Sequence, residues 1–533
     1  MIPKIFRLDR KHLVLGYLVL LGLSGAIILW INTRIWGIGV GYDSYYYLSA
    51  ADNFLSGNGM TRFNADGNLI PIIHYPPAYP FILAVTNFIF SGDVLMGARI
   101  LAVVFWGINI IIIGWLIFAF TESVLAAVLG SVGLLLSPFS LEVHLMAMTE
   151  PMFLAIILLT LYLLSRYLQF PSTKNLVISG VFAGISFLVR YSGAYIIVVG
   201  LVVILILRNK KMSQKLKEAT YFGLTSVLVI LPWLIRNWVL TGNFTNRSPV
   251  FHIPNTEKLM DGIYIASTWI SPTLIPGVFA TGRIALMRLM FVVVAIIVGI
   301  IVWAMRSKGT PNKLIYENRE FRFVAILSIS IIVYLLSLLV SLSFFDASTS
   351  MDNRILSPLY VVGITLGMIV IWQGYAVSSS RILSLAVLVV GVLFLSHNNF
   401  DRYQLELERM YNKGKGFTGR EWQNSETIEE IRQLPLSLIL YSNEPNSLFF
   451  LADRFSYAIP ENTDPVKAET NLLFDSQMEA MRIVFKQSRG ALVLFDSFYK
   501  HDVYAPEQEL TQGLYLWKDT NDGAIYFPVG VVP

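Results

Sequence analysis

The stretch LVLGYLVLLGLSGAIILWI, residues 13–31, contains no charged side chain. About 20 apolar residues in a helix suffice to cross the roughly 30 Å hydrocarbon layer of a bilayer. It follows MIPKIFRLDRKH, where Lys4, Arg7, Arg10 and Lys11 form a basic leader. A secretory signal has the same order of parts, but its apolar region is shorter, roughly 7–15 residues. The run therefore reads as an uncleaved first span with a cytoplasmic N-terminus. Similar apolar runs recur as far as residue 397 in a chain of 533 residues that is 55% hydrophobic and only 14% charged. Its mean hydropathy is +0.62. This composition excludes an ordinary soluble globular protein and predicts a polytopic α-helical membrane protein.

Charge divides the chain in two. From residue 400 onward there are 13 Lys and Arg against 20 Asp and Glu, a net of −7, which leaves 27 against 15, or +12, for residues 1–399. A membrane domain over residues 1–398, with outer loops at 32–93 and 237–283, and a soluble α/β domain over 399–533 are the expected organisation. In that second part, 419–435 reads as a loop and an amphipathic helix capped by Ser425. LSLILYSN, FSYAIP and GALVLFDSF read as strands, 475–488 as a helix, and the last run as a hairpin turning at Asp522 and Gly523. The absence of cysteine excludes disulfides, a thiolate nucleophile and a cysteine metal site.

Basic residues cluster at the N-terminus, at 208–217 and at 306–322. The positive-inside rule places all three in the cytoplasm, so even numbers of crossings separate them. Eleven spans satisfy this: 13–31, 94–120, 123–139, 151–168, 175–190, 192–207, 219–236, 284–304, 322–343, 354–374 and 381–397. The soluble part then lies outside. The segment 78–92 would break the parity and is assigned as interfacial or re-entrant. The span centres carry essentially no ionisable residues, unlike those of proton-coupled pumps.

The chemistry-bearing residues fall on the outer side of this topology. In GYDSYYYLSAADNFLSGNGM (residues 41–60), Asp43 opens a helix with Tyr47, Ala50, Ala51 and Phe54 on one face. Asp43 is there either as an N-cap or as a functional carboxylate. In HYPPAYP (74–80) the proline pair starts a helix near Pro77 whose free N–H groups suit an anion. His74 is a proton carrier, a phosphate partner or a plain hydrogen-bonding residue. Glu150 in MAMTEP (146–151) sits at the outer start of a span, where the helix dipole alone would favour it. Arg190, Arg236, Arg283 and Arg354 stand at outer span ends, where basic residues are usually sparse; they either snorkel or hold an anion. A Gly-x-Ser-x-Gly elbow, a His-Glu-x-x-His pair and an Asp-x-Asp metal motif are all missing.

The order of these motifs resembles the polyprenyl-phosphate-sugar-dependent glycosyltransferases of the GT-C fold, the group that contains the lipid A aminoarabinose transferase and the protein O-mannosyltransferases. The matching residues are Asp43-x-x-x-Tyr47, YPPAYP at 75–80, TEP at 149–151, VRYSG at 189–193, PWLIRN at 232–237 and DNRILSP at 352–358. The resemblance implies a mannosyltransferase-like enzyme of the plasma membrane. It would move a sugar from a polyprenyl phosphate to a hydroxyl of a lipid, glycan or protein, with inversion. Asp43 would be the general base, Tyr47 would hydrogen-bond within the site, and Glu150 would orient the acceptor or a basic residue. His74, Tyr75, Arg190, Arg236, Arg283 and Arg354 would serve donor and phosphate. The aminoarabinose transferases carry a lysine just before their proline pair, where this chain has Tyr75, so Arg236 or Arg354 would have to supply the phosphate's cation.

No cofactor and no metal are expected. A divalent cation held by Glu142, His144, Glu150 and His74 is the alternative, and their spacing is not diagnostic. The bilayer is an expected partner and nucleic acid is not. A flippase or transporter that binds the same phosphate-linked lipid without cleaving it remains the alternative function. Neither sugar nor acceptor is written in motif spacing.

Overall fold

The computed structural model describes residues 10–531 except 91–92, 248, 270–288, 291–292, 295, 298–299, 302–317, 377–396, 398, 468, 488 and 501–502. The chain begins with α1 (Arg10–Asn32), the loop helix α2 (Tyr42–Leu55), a hairpin of β1 (Thr61–Phe63) and β2 (Leu69–Pro71), and the short helix α3 (Ala78–Phe90). The bundle continues with α4 (Val94–Thr121), α5 (Val124–Leu135), α6 (Pro138–His144), α7 (Glu150–Gln169), α8 (Thr173–Val189), α9 (Ala194–Leu207) and α10 (Met212–Thr241). After α11 (Thr256–Thr268), α12 (Arg319–Phe344) and α13 (Asn353–Ala376) complete its described part.

Among the described residues six helices, α1, α4, α7, α10, α12 and α13, are long and apolar enough to cross a membrane. The protein is a multi-pass helical membrane protein. Helices stand at nine of the eleven expected span positions; 284–304 and 381–397 fall largely outside the described residues. The expected span 123–139 is not one rod. Ser137 caps a new helix by accepting a hydrogen bond from the Ser140 amide, Pro138 supplies its first turn, and α5 and α6 meet at 61°. Helices α3 and α8 are short for a span, with 13 and 17 residues, or about 20 and 26 Å at 1.5 Å per residue.

Close backbone approach sets the bundle's first seam. A Cβ at Gly22 of α1 would stand 2.8 Å from the Gly107 carbonyl oxygen of α4, and one at Gly107 would stand 2.9 Å from the Gly22 carbonyl oxygen. Without a hydrophobic drive between helices in lipid, such small-residue seams let dispersion do the joining. Around it Trp106, Ile110, Leu29 and Leu135 are buried in one apolar core.

Tyr403, Met410 and Phe417 pack into that same core, and a separate core begins at Ile428. It belongs to a five-stranded sheet of β3 (Ile439–Ser442), β4 (Ser456–Ala458), β7 (Gly490–Phe495), β8 (Leu514–Asp519) and β9 (Gly523–Pro528), in the order β4-β3-β7-β9-β8; β5 (Thr463–Asp464) and β6 (Glu469–Thr470) pair apart from it. The first three strands are parallel and the last two antiparallel. Along β7, Val493 and Phe495 enter one core, whereas Leu492 and Leu494 enter another that contains Met478 and Met481 of the helix 474–486. Both faces of the strand are covered, as a parallel segment requires. This sheet region leans on α2 and β1: Phe449 meets Tyr45 of α2 edge-on at 5.5 Å, and Phe455 meets Phe63 of β1 at 5.7 Å.

Gly22→Val should therefore wedge α1 from α4 at a cost of roughly 1–3 kcal/mol. Thermal unfolding in detergent reads this as a lowered midpoint, and an unchanged midpoint would contradict the seam.

Candidate active site

The segment that leads into α2 is held on both sides. The Gly39 amide donates to the Leu145 carbonyl (3.0 Å), and the Ala147 amide donates to the Gly39 carbonyl (2.8 Å). On the other side the Phe417 amide donates to the Val40 carbonyl at 2.8 Å. Gly416 reaches this position with a φ of +60°, and a Cβ there would collide with the Val40 carbonyl. The strap ties the entry to α2 to the entry to α7, so Asp43 and Glu150 are placed by one arrangement.

Helix α2 is capped by Gly41 and Ser44, whose hydroxyl accepts the Gly41 amide at 3.0 Å. Asp43 is thus not the N-cap. It lies in the first turn, where the helix dipole favours a carboxylate and the side chain is left to point elsewhere. Its Oδ1 accepts the Tyr75 hydroxyl at 2.5 Å, and its Oδ2 lies 2.5 Å from Arg354 Nη1. Arg354, in the first turn of α13, also approaches Glu150, with Nε 3.4 Å from Oε1. The same Glu150 Oε1 lies 2.5 Å from Arg190 Nη1. Arg190 donates at 2.7 Å to the Thr149 hydroxyl, which in turn lies 3.2 Å from Glu150 Oε2. Glu150 is 1% exposed, whereas the side chains of Asp43 and Arg354 are 22% and 30% exposed. A solvent-reachable carboxylate and cation are therefore backed by a buried carboxylate, Glu150, and by Arg190, whose side chain is 17% exposed.

The remaining expected residues fall as follows. Tyr47 is buried and stacks edge-on with Tyr75 at 5.0 Å and with Tyr79 at 5.4 Å; the phenol bonded to Asp43 is that of Tyr75. Burial, with the Asp43 charge beside it, pushes the Tyr75 phenol well above its ordinary value, so it donates. His74 packs on Tyr46 at 4.8 Å and on Tyr75 at 4.4 Å. Burial and the nearby Arg62 and Arg247 push its imidazole down to about 4. Arg236 grips the loop that carries these groups, donating to the Ile72 carbonyl at 2.9 Å and to the Met60 carbonyl at 2.7 Å, with its guanidinium over the Trp233 ring. Arg283 lies outside the described residues.

The four residues considered for a cation do not converge. His144 is buried against Trp106, with Nδ1 2.7 Å from the Ser140 carbonyl and Nε2 2.9 Å from Asn109. Glu142 accepts from Asn353 at 3.0 Å. Among the described residues no group of three or more His, Asp or Glu is arranged to hold a metal ion. Two residues not singled out from the sequence join the site. Thr149 couples Arg190 to Glu150, and its place inside TEP was a signal. Arg62, whose guanidinium lies 5.2 Å over Tyr46, comes from β1 and had no sequence signal, because its reach depends on the hairpin.

Residues 74–236 match the family model described as dolichyl-phosphate-mannose-protein mannosyltransferase. The structure is similar to that of ArnT from Cupriavidus metallidurans bound to undecaprenyl phosphate, with a TM-score of 0.59 and 14% identity over 95% of this chain and 97% of that one. It is also similar to the Archaeoglobus fulgidus oligosaccharyltransferase, with a TM-score of 0.55 and 14% identity over 90% of this chain and 68% of the other. Arabinofuranosyltransferase AftD from Mycobacteria gives a TM-score of 0.55 at 12% identity, over 97% of this chain and 40% of that one. No curated protein sequence matches significantly. The fold is that of the GT-C glycosyltransferases, and the matched segment is a domain of that type.

An imidazole held at about 4 when folded, against about 6.5 when unfolded, makes folding proton-sensitive. The unfolded state takes up the proton first, so the contribution is whole above pH 6.5 and is lost as the pH falls toward 4. Thermal midpoints at about pH 7.5 and about pH 5 should differ less in His74→Gln than in the parent protein; an equal difference would exclude His74 as the source.

Proposed function

We propose that the protein is a glycosyltransferase of the plasma membrane. It transfers a sugar from a polyprenyl-phosphate donor to a hydroxyl acceptor on the extracytoplasmic side, with inversion at the anomeric carbon. The observation that carries this reading is the contact of Asp43 with Arg354 at a partly exposed point, backed by the buried Glu150, which is paired with Arg190. The fold similarity and the matched family segment support the reaction class.

The donor's phosphate is a competent leaving group, so the chain's own residues have two tasks. One is to take the proton of the acceptor hydroxyl as its oxygen attacks the anomeric carbon; the other is to stabilise the charge left on the departing phosphate. Asp43 suits the first. A carboxylate has about four lone-pair sites, and the contacts of Tyr75 and Arg354 occupy one on each oxygen. The remaining sites accept the hydroxyl while both partners fix the carboxylate's direction. Arg354 suits the second task. Its hydrogen bond to Asp43 uses part of a five-donor guanidinium, Glu150 lies at ion-pair distance from its Nε, and its side chain is 30% exposed. Arg236 is bound to two loop carbonyls and positions the His74–Tyr75 segment. Glu150 faces Arg354 and is itself paired with Arg190, and the extracytoplasmic sheet domain meets α2 through Phe449 and Tyr45.

Transfer from a labelled polyprenyl-phosphate sugar in proteoliposomes tests this. Asp43→Asn keeps the size of the side chain and should lower turnover by about 10²–10⁴-fold, the usual worth of a general base. Arg354→Gln should do the same with no recovery on adding acceptor, whereas Arg236→Gln should lower the thermal midpoint more than turnover. Full activity in folded Asp43→Asn would eliminate the base. Intact donor after prolonged incubation with a broad acceptor panel would instead indicate a flippase.

A further inference from the structure

The helices α7 to α10 have their Asp43-side ends at Glu150, Arg190 and Arg236. Their opposite ends lie about 30 Å away, the length of the twenty residues of α7 at 1.5 Å each. There the last turn of α7, the turn before α8, the end of α9 and the first turns of α10 enclose a cleft of 540 Å³. Arg208, Lys210 and Lys217 line it, with Glu218 as the one carboxylate among the lining residues. Glu218 is committed to Arg208, at 3.0 Å from Nε and 3.4 Å from Nη2. Neither Lys210 nor Lys217 is in an ion pair among the described residues. The cleft therefore holds a positive charge of two that the protein does not balance.

Its second property is that it opens onto an apolar track. Tyr221 lines the cleft and is also the first residue of an exposed stripe on α10 that continues through Leu224, Leu228, Leu231 and Ile235. The spacing of three and four residues keeps these side chains on one helix face. A ligand that satisfies both features has an anionic head at the membrane boundary and a hydrocarbon tail beside α10. Basic residues kept only for orientation across the membrane would need no concave wall and no continuity with such a stripe.

We propose that this cleft binds the phosphate head of an anionic membrane lipid, with its tail along the α10 stripe, at the end of the bundle opposite Asp43. The positive-inside rule puts that end in the cytoplasm, where basic pockets between helices meet anionic headgroups. The inference does not depend on the reaction proposed for Asp43.

Native mass spectrometry of the full chain, purified and supplied in turn with phosphatidylglycerol, a polyprenyl phosphate, phosphatidylcholine and inorganic phosphate, tests it. Lys210→Gln with Lys217→Gln should lower retention of one of the two anionic lipids at least tenfold, and Lys210→Arg with Lys217→Arg should restore it. Loss confined to phosphatidylglycerol identifies a diacyl lipid; loss confined to the polyprenyl phosphate identifies an isoprenoid one. Retention of both lipids unchanged in the folded glutamine variant overturns the proposal. So does equal lysine-dependent retention of phosphatidylcholine, or of inorganic phosphate, because neither combines net negative charge with a tail.

Discussion

Arg354 is the contact on which the Asp43 end of the bundle depends. It lies between two carboxylates, 2.5 Å from Asp43 and 3.4 Å from Glu150, and Glu150 shares that same oxygen with Arg190 at 2.5 Å. The result is a line of alternating charges drawn from the starts of α2, α13 and α7 and the end of α8. Each charge has an opposite neighbour, which is the condition for keeping ions where water is scarce. Removing any one leaves a neighbour uncompensated, so the line fixes four helix ends together.

The strap below it does the same through the backbone. Residues 39–40 are hydrogen-bonded to residues 145–147 on one side and to residues 415–417 on the other. The chain just ahead of the sheet domain thereby helps aim Asp43, although no residue of the strap carries chemistry. Tyr403, Met410 and Phe417 pack into the bundle's core for the same reason: the connection is part of the scaffold.

What the sequence made legible follows the range of each interaction. Helix positions came from local apolar runs, and the described helices stand where those runs are. The break at Ser137–Pro138 was written locally too, as a cap followed by a proline, but an apolar count passes over it. Glu150, Arg190 and Arg354 were visible as polar residues at span ends and Asp43 as a carboxylate opening a helix of the first outer loop, while their meeting depended on helix packing. The partner of Asp43 was the least legible. Helical spacing pointed from Asp43 to Tyr47, one turn on, yet Tyr47 turns into an aromatic core and Tyr75 takes the hydrogen bond from 32 residues away. No periodicity carries a contact across a hairpin.

Tyr75 also sets the electrostatics of the proposed reaction. The line from Asp43 to Arg190 is neutral as a whole, with two carboxylates and two guanidiniums. A lysine at position 75 would add a fifth charge and a spare cation for phosphate, whereas a phenol adds neither. Under the proposed mechanism the phosphate shares Arg354 with Asp43. Donor binding would loosen the grip on one carboxylate oxygen at the point where the acceptor hydroxyl needs a lone pair, while Tyr75 keeps the other oxygen aimed. Coupling of that kind makes the base available when the leaving group is in place, and it needs no moving part beyond one guanidinium.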